Sequence, residues 1–186
     1  MNRFRVTHRK PLGNGTPQKY CGPAALSALT GYTAECCGAW INRSRGKPIH
    51  YQNRGTYFRE LDDTSRRLGV RLHKVWAANG ESWTLNRFRK EMAGGGRLTD
   101  LWGKPMLVEV TGHWIAVRQG MVVDSGLGAG SEPIPLKEYA KGRSRVKMAW
   151  CANRFYKKLK QEPMPMPETE THDQPQSEAW RRAFRL

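Results

Sequence analysis

The nine residues Gln18-Lys19-Tyr20-Cys21-Gly22-Pro23-Ala24-Ala25-Leu26 constrain this chain more than any other stretch. From Cys21, the run Pro23-Ala24-Ala25-Leu26-Ser27-Ala28-Leu29 reads as a compact apolar helix that Gly31 stops. Pro23 fits its first turn, where a missing N–H leaves no intrahelical bond unmade. A cysteine therefore stands where a loop turns into a helix. Far downstream, Gly112-His113-Trp114-Ile115-Ala116-Val117 sets a histidine at the head of an alternating apolar strand, and Asp124 closes the next strand. A thiol at a helix N-terminus, a histidine and a carboxylate are the three parts of an activated cysteine nucleophile.

The rest of the chain predicts elements that could hold these three together. Thr33 caps a second helix running to about Asn42. A third helix over 56–68 carries Tyr57, Phe58, Leu61, Ser65 and Leu68 at helical spacing and ends at Gly69. Residues 70–76 alternate as a half-buried strand does, and Ser82 can cap a fourth helix to Met92. A meander follows over 104–110, 113–118 and 121–124, its second turn being Gln119-Gly120. A short helix over 136–140 and a last strand over 146–151 complete the body. Helices first and antiparallel strands second is an α+β pattern.

The length of 186 residues suits one folded body, 1–159, with a tail, 160–186, and seven Trp support a real core. Residues 1–17 read as an irregular arm. Residues 161–176 are proline-rich and polar and read as a flexible linker. In 177–186, Ala179, Trp180, Ala183 and Phe184 share one face of a short amphipathic helix, which either docks on a partner or folds back on its own domain. No apolar run approaches a membrane span, and no secretory signal or lipid-attachment motif is visible, so the expected compartment is a cytosol.

The chain's net charge of +16 divides into +17 on residues 1–159 and −1 on residues 160–186, and would draw the body toward an anionic partner, nucleic acid or an acidic protein. Basic residues are nonetheless spread over every segment, so charge alone names no function. Cys21, Cys36, Cys37 and Cys151 have neither the spacing of a disulfide framework nor a Cys-x-x-Cys metal pair, and no metal or cofactor is expected.

A free thiol near pKa ~8.5 is only a few per cent thiolate at neutral pH, and a helix N-terminus and an imidazolium both raise that fraction. His113 would reach Cys21 from a fixed strand. Asp124, eleven residues on, would return beside it across the hairpin and orient the ring through Nδ1. Each residue has a plain alternative. Cys21 could be a small core residue, His113 a satisfied structural histidine and Asp124 a turn cap. His8, His50, His73 and His172 compete as bases, with His8 and His172 in the chain ends and His50 in a loop.

Tyr-Cys-Gly-Pro-Ala-Ala-Leu, Gly-His-Trp-Ile-Ala-Val and Val-Val-Asp-Ser, in that order, resemble the papain-like cysteine peptidases. Within these the chain looks most like the double-glycine (bacteriocin-processing) branch and its phage-encoded relatives, over about 15–152. The resemblance implies a papain-like α+β fold and a peptide or protein substrate cleaved through a thioester. It implies Cys21 as nucleophile, His113 as base and acid, Asp124 as orienting carboxylate, and a phage protein's host cytoplasm or virion as the setting. The family places its oxyanion-hole glutamine further upstream, where this chain has Gly15, and Gln18 stands only three positions before the cysteine. Gln18 is the candidate donor, with Asn14 or the Cys21 backbone N–H as alternatives. Two other readings stand beside the enzyme: a non-catalytic basic binding protein, and an inactive peptidase-like domain that recruits a partner through 177–186.

Overall fold

In the computed structural model the first helix, α1 (Cys21–Thr30), is buried along all ten residues, which its alanines, glycine and proline make possible. Residues 4–6, 20–47, 55–127 and 132–154 are described. Most of the arm 1–17, with His8, Asn14 and Gly15, lies outside them, as do Gln18, His50 and everything past Arg154. The linker and C-terminal peptide expected over 160–186 lie outside the described residues.

Thr33 accepts from the Cys36 N–H at 3.2 Å and opens α2 (Ala34–Ser44). Helix α3 (Phe58–Arg67) buries Leu61, Thr64 and Ser65, while Tyr57, expected on that apolar face, stands 78 % exposed just before it. Strand β1 (Val70–Ala77) follows, then β2 (Trp83–Thr84) and α4 (Leu85–Met92). Thr84, not Ser82, caps α4 by accepting from the Arg87 N–H at 3.2 Å, because Trp83 and Thr84 first pair with the last strand. The meander is β3 (Met106–Val110), β4 (His113–Arg118) and β5 (Met121–Val123), and then come β6 (Ile134–Pro135) and β7 (Arg145–Arg154). Residues 136–140 form turns rather than a helix: Leu136 N–H bonds to the Gly120 carbonyl at 2.7 Å, and the backbone N–H groups of Glu138 and Tyr139 bond only three residues back.

All pairings are antiparallel, in the order β1-β7-β3-β4-β5-β6, with β2 also on β7. The fold is α+β. Side chains of alternate residues go to opposite faces. Leu107, Trp114, Ala116 and Trp150 pack with α1, α2 and α3 on one face. Met106, Val108, Ile115, Val117 and Ala149 pack with α4 and Tyr139 on the other. Phe58 stacks on Trp150 with centroids 4.1 Å apart and lies 6.5 Å from Trp114, closing the first core at the start of α3.

The β4–β5 turn needs both central residues at positive φ to match strand twist. Gln119 and Gly120 supply 51° and 69°. That tight turn fixes the register of β5 against β4, with Ala116 opposite Val123. Among the described residues no helix is long and apolar enough to cross a membrane.

Candidate functional site

The site forms where α1 begins and β4 begins. Tyr20 occupies the cap position of α1 without a side-chain cap bond, and its hydroxyl instead reaches the Ala34 carbonyl at 3.0 Å. No tyrosine hydroxyl therefore closes over the first-turn N–H groups, which carry the positive end of the helix dipole. Gly22 lets the chain come in close, because a Cβ there would lie 2.8 Å from the Thr56 side chain. The Thr56 carbonyl in turn accepts from Trp114 Nε1 at 2.8 Å, which anchors the residue after His113.

Continuing the register that pairs Ala116 with Val123 puts Asp124 opposite Ile115, two residues from His113 and on the same face. Diagonal neighbours of that kind are within reach of a long side chain. His113 Nε2 meets Asp124 Oδ1 at 2.5 Å. The sequence-based expectation put this bond on Nδ1. With Nε2 taken by Asp124, the hydrogen bond between His113 and the Cys21 thiol falls to Nδ1. The ring spans thiol and carboxylate through its two nitrogens.

Asp124 is 2 % exposed and is satisfied from several sides. Besides His113, the Tyr139 hydroxyl donates to Oδ2, the Gly126 N–H to Oδ1 at 3.1 Å, and Lys141 Nζ lies 3.4 Å from Oδ2. Burial alone would push this carboxyl up, but the bonds from His113, Tyr139 and Gly126 hold it far below the carboxylate range. Tyr139 and Lys141 escaped sequence reasoning, because a lone tyrosine and lysine in a turn carry no spacing signal.

Burial likewise opposes charge on His113, yet the bonds to Asp124 and Cys21 push it up to about 9. Burial would raise the Cys21 thiol. The His113 hydrogen bond, the N–H of Trp114, the charge of His113 and the N–H of Gly22 together bring it below the ordinary thiol value. Both shifts favour a thiolate–imidazolium pair.

The structure thus brings Cys21, His113 and Asp124 together. His73 is exposed on β1, paired with Cys151, and does not approach Cys21. Cys36 and Cys37 lie in α2, and Cys151 pairs with Met106 at the opposite end of β3 from Val110, the partner of His113, so these thiols do not gather around His113. Among the described residues no three His, Cys, Asp or Glu side chains converge to hold a metal ion.

No protein-family model matches the chain, and no curated protein matches it. Among solved structures it is similar to the peptidase domain of Streptococcus ComA, a bi-functional ABC transporter involved in a quorum sensing pathway. The TM-score is 0.48 and the identity 13 %, over 82 % of this chain and 100 % of that one.

Proposed function

We propose that the protein is a papain-like cysteine peptidase acting through Cys21, His113 and Asp124. One observation carries this reading: a cysteine at the first turn of a buried helix is hydrogen-bonded to a histidine whose other nitrogen rests on a buried carboxylate. The Cys21 thiolate attacks a peptide carbonyl carbon, and the C=O electron pair moves onto oxygen. The Cys21 backbone N–H, at the head of α1, is positioned to meet that oxyanion. Collapse breaks the C–N bond while the His113 imidazolium gives its proton to the leaving amine, leaving a thioester. Neutral His113 then takes a proton from water as the water attacks, and the thiolate leaves with the imidazolium restored. Asp124 keeps the ring oriented throughout.

Resemblance of the motifs to the double-glycine branch makes peptides with Gly at the scissile bond the first substrates to try. The test is site-resolved alkylation of Cys21 by iodoacetamide against pH, in wild type and His113→Ala, alongside peptide hydrolysis. Fast labelling well below the free-thiol range that His113→Ala abolishes, together with Cys21-dependent cleavage, is the expected result. A single free-thiol titration unchanged in the variant overturns it.

A second reading draws on the outer face of the helices, where Arg43 and Arg67 flank the Trp40 ring at 5.5 and 5.6 Å. An aromatic ring between guanidiniums on a chain of net charge +16 suits single-stranded nucleic acid. Oligonucleotide binding that weakens steeply with salt and with Trp40→Ala would support it, and salt-insensitive or absent binding would dismiss it.

A further inference from the structure

Among the described residues Glu109 is a half-buried acidic side chain without an ion pair, whereas Asp63, also without one, is exposed to water. Glu60, Asp62, Glu81, Glu91, Asp100, Asp124, Glu132 and Glu138 all have cationic partners. Glu109, half-buried within the sheet, makes no ion pair or hydrogen bond among the described residues, although the chain carries 32 Lys and Arg. A half-buried carboxylate without a partner leaves both oxygens open to a charged donor from a bound ligand.

Its position is specific. Glu109 pairs with Trp114 on one side and Met148 on the other, so the three form one cross-strand row. Trp114 belongs to the core under α1, which puts Glu109 and Met148 on that same face. The Trp114 N–H is bonded to the Cys21 thiol. Adding one cross-strand step of about 5 Å sets the Glu109 backbone about 10 Å from the nucleophile, the span of about three extended residues. Met148 is 39 % exposed at the far end of the row, and the 56–58 segment, which holds Trp114 through Thr56, presents the exposed Tyr57 nearby in sequence.

Resting on the peptidase reading, the geometry points to Glu109 as the floor of a substrate subsite that takes a lysine or arginine side chain two or three residues from the scissile bond. The Met148 side chain supplies an apolar wall for the methylene stem, and the carboxylate receives the charged head. In a molecule so basic, one unpaired acid beside the nucleophile sets the register of an extended peptide.

The test compares rates at which two peptidyl acyloxymethyl ketones label Cys21, identical except for lysine or norleucine at the second residue from the warhead, with a second pair varied at the third. We expect the lysine probe of one pair to label wild type about tenfold faster than its norleucine twin. Glu109→Gln should bring that ratio to within about twofold, and Glu109→Lys should invert it. Equal rates in both pairs, or a lysine preference that Glu109→Gln leaves intact, overturn the subsite while the peptidase reading stands. If neither pair labels Cys21 in wild type, the catalytic reading fails and the subsite fails with it.

Discussion

Tyr139 donates its hydroxyl to the Asp124 oxygen that His113 does not use, so the carboxylate is gripped at both ends. The tyrosine is 5 % exposed, and burial together with Asp124 pushes its own ionisation far up, so it stays a donor at any working pH. Tyr139→Phe keeps the ring and removes only the donor. Hydrogen bonds to charged groups contribute about 1.5–3 kcal/mol. A loss of stability in that range by urea unfolding, with the acid-side loss of stability moved to higher pH, is the expected outcome.

Turnover should fall as pH rises through about 9, where His113 loses the proton that the leaving amine needs. On the acid side it should rise through a thiol titration lying below the ordinary thiol value. A plot of log kcat/KM against pH checks both limbs.

Replacing Asp124 changes stability as well as rate, and the two contributions it removes have opposite pH slopes. The carboxyl is depressed from 3.8, so its contribution is present above that value and lost as pH falls through the folded one. His113 is raised from 6.5, so its contribution is full below 6.5 and lost as pH rises through about 9. Asp124→Asn should flatten the acid arm of a Tm-versus-pH curve and move the alkaline loss downward. It should also lower kcat by about 10²-fold or more, as for a mis-set tautomer in a triad.

Gly22→Ala puts a methyl 2.8 Å from Thr56. Overpacking of this kind costs about 1–3 kcal/mol, and here the displaced segment also holds Trp114. The variant should unfold at lower urea, with a weakened Trp114 contact read as a change in tryptophan fluorescence.

Local chemistry made much of the fold legible. The buried α1, the Thr33 cap, the Gln119-Gly120 turn and the strand headed by His113 each depend on residues next to one another in the chain. That also placed Cys21, His113 and Asp124 among the candidates. What escaped depends on distant pairing. Strand β2 exists because Trp83 and Thr84 meet Val146 and Arg145, and that pairing moved the α4 cap from Ser82 to Thr84. Tyr139 looked helical because its neighbours suit a helix, whereas the residues it serves lie on β4 and β5. The choice of Nε2 over Nδ1 is a matter of ring orientation, which no spacing encodes.

Strand β7 is the last strand of the sheet to leave a ribosome, yet it lies between β1 and β3. A nascent chain shorter than residue 145 has neither of those neighbours joined, and both cores lack the tryptophan, alanines and cysteine that β7 brings. Helix α1 can still meet Trp114 and Ala116 of β4, but β1 and β3 lack the strand that joins them. The strands that carry and follow His113 are therefore joined to β1 only when the final strand of the sheet has been made.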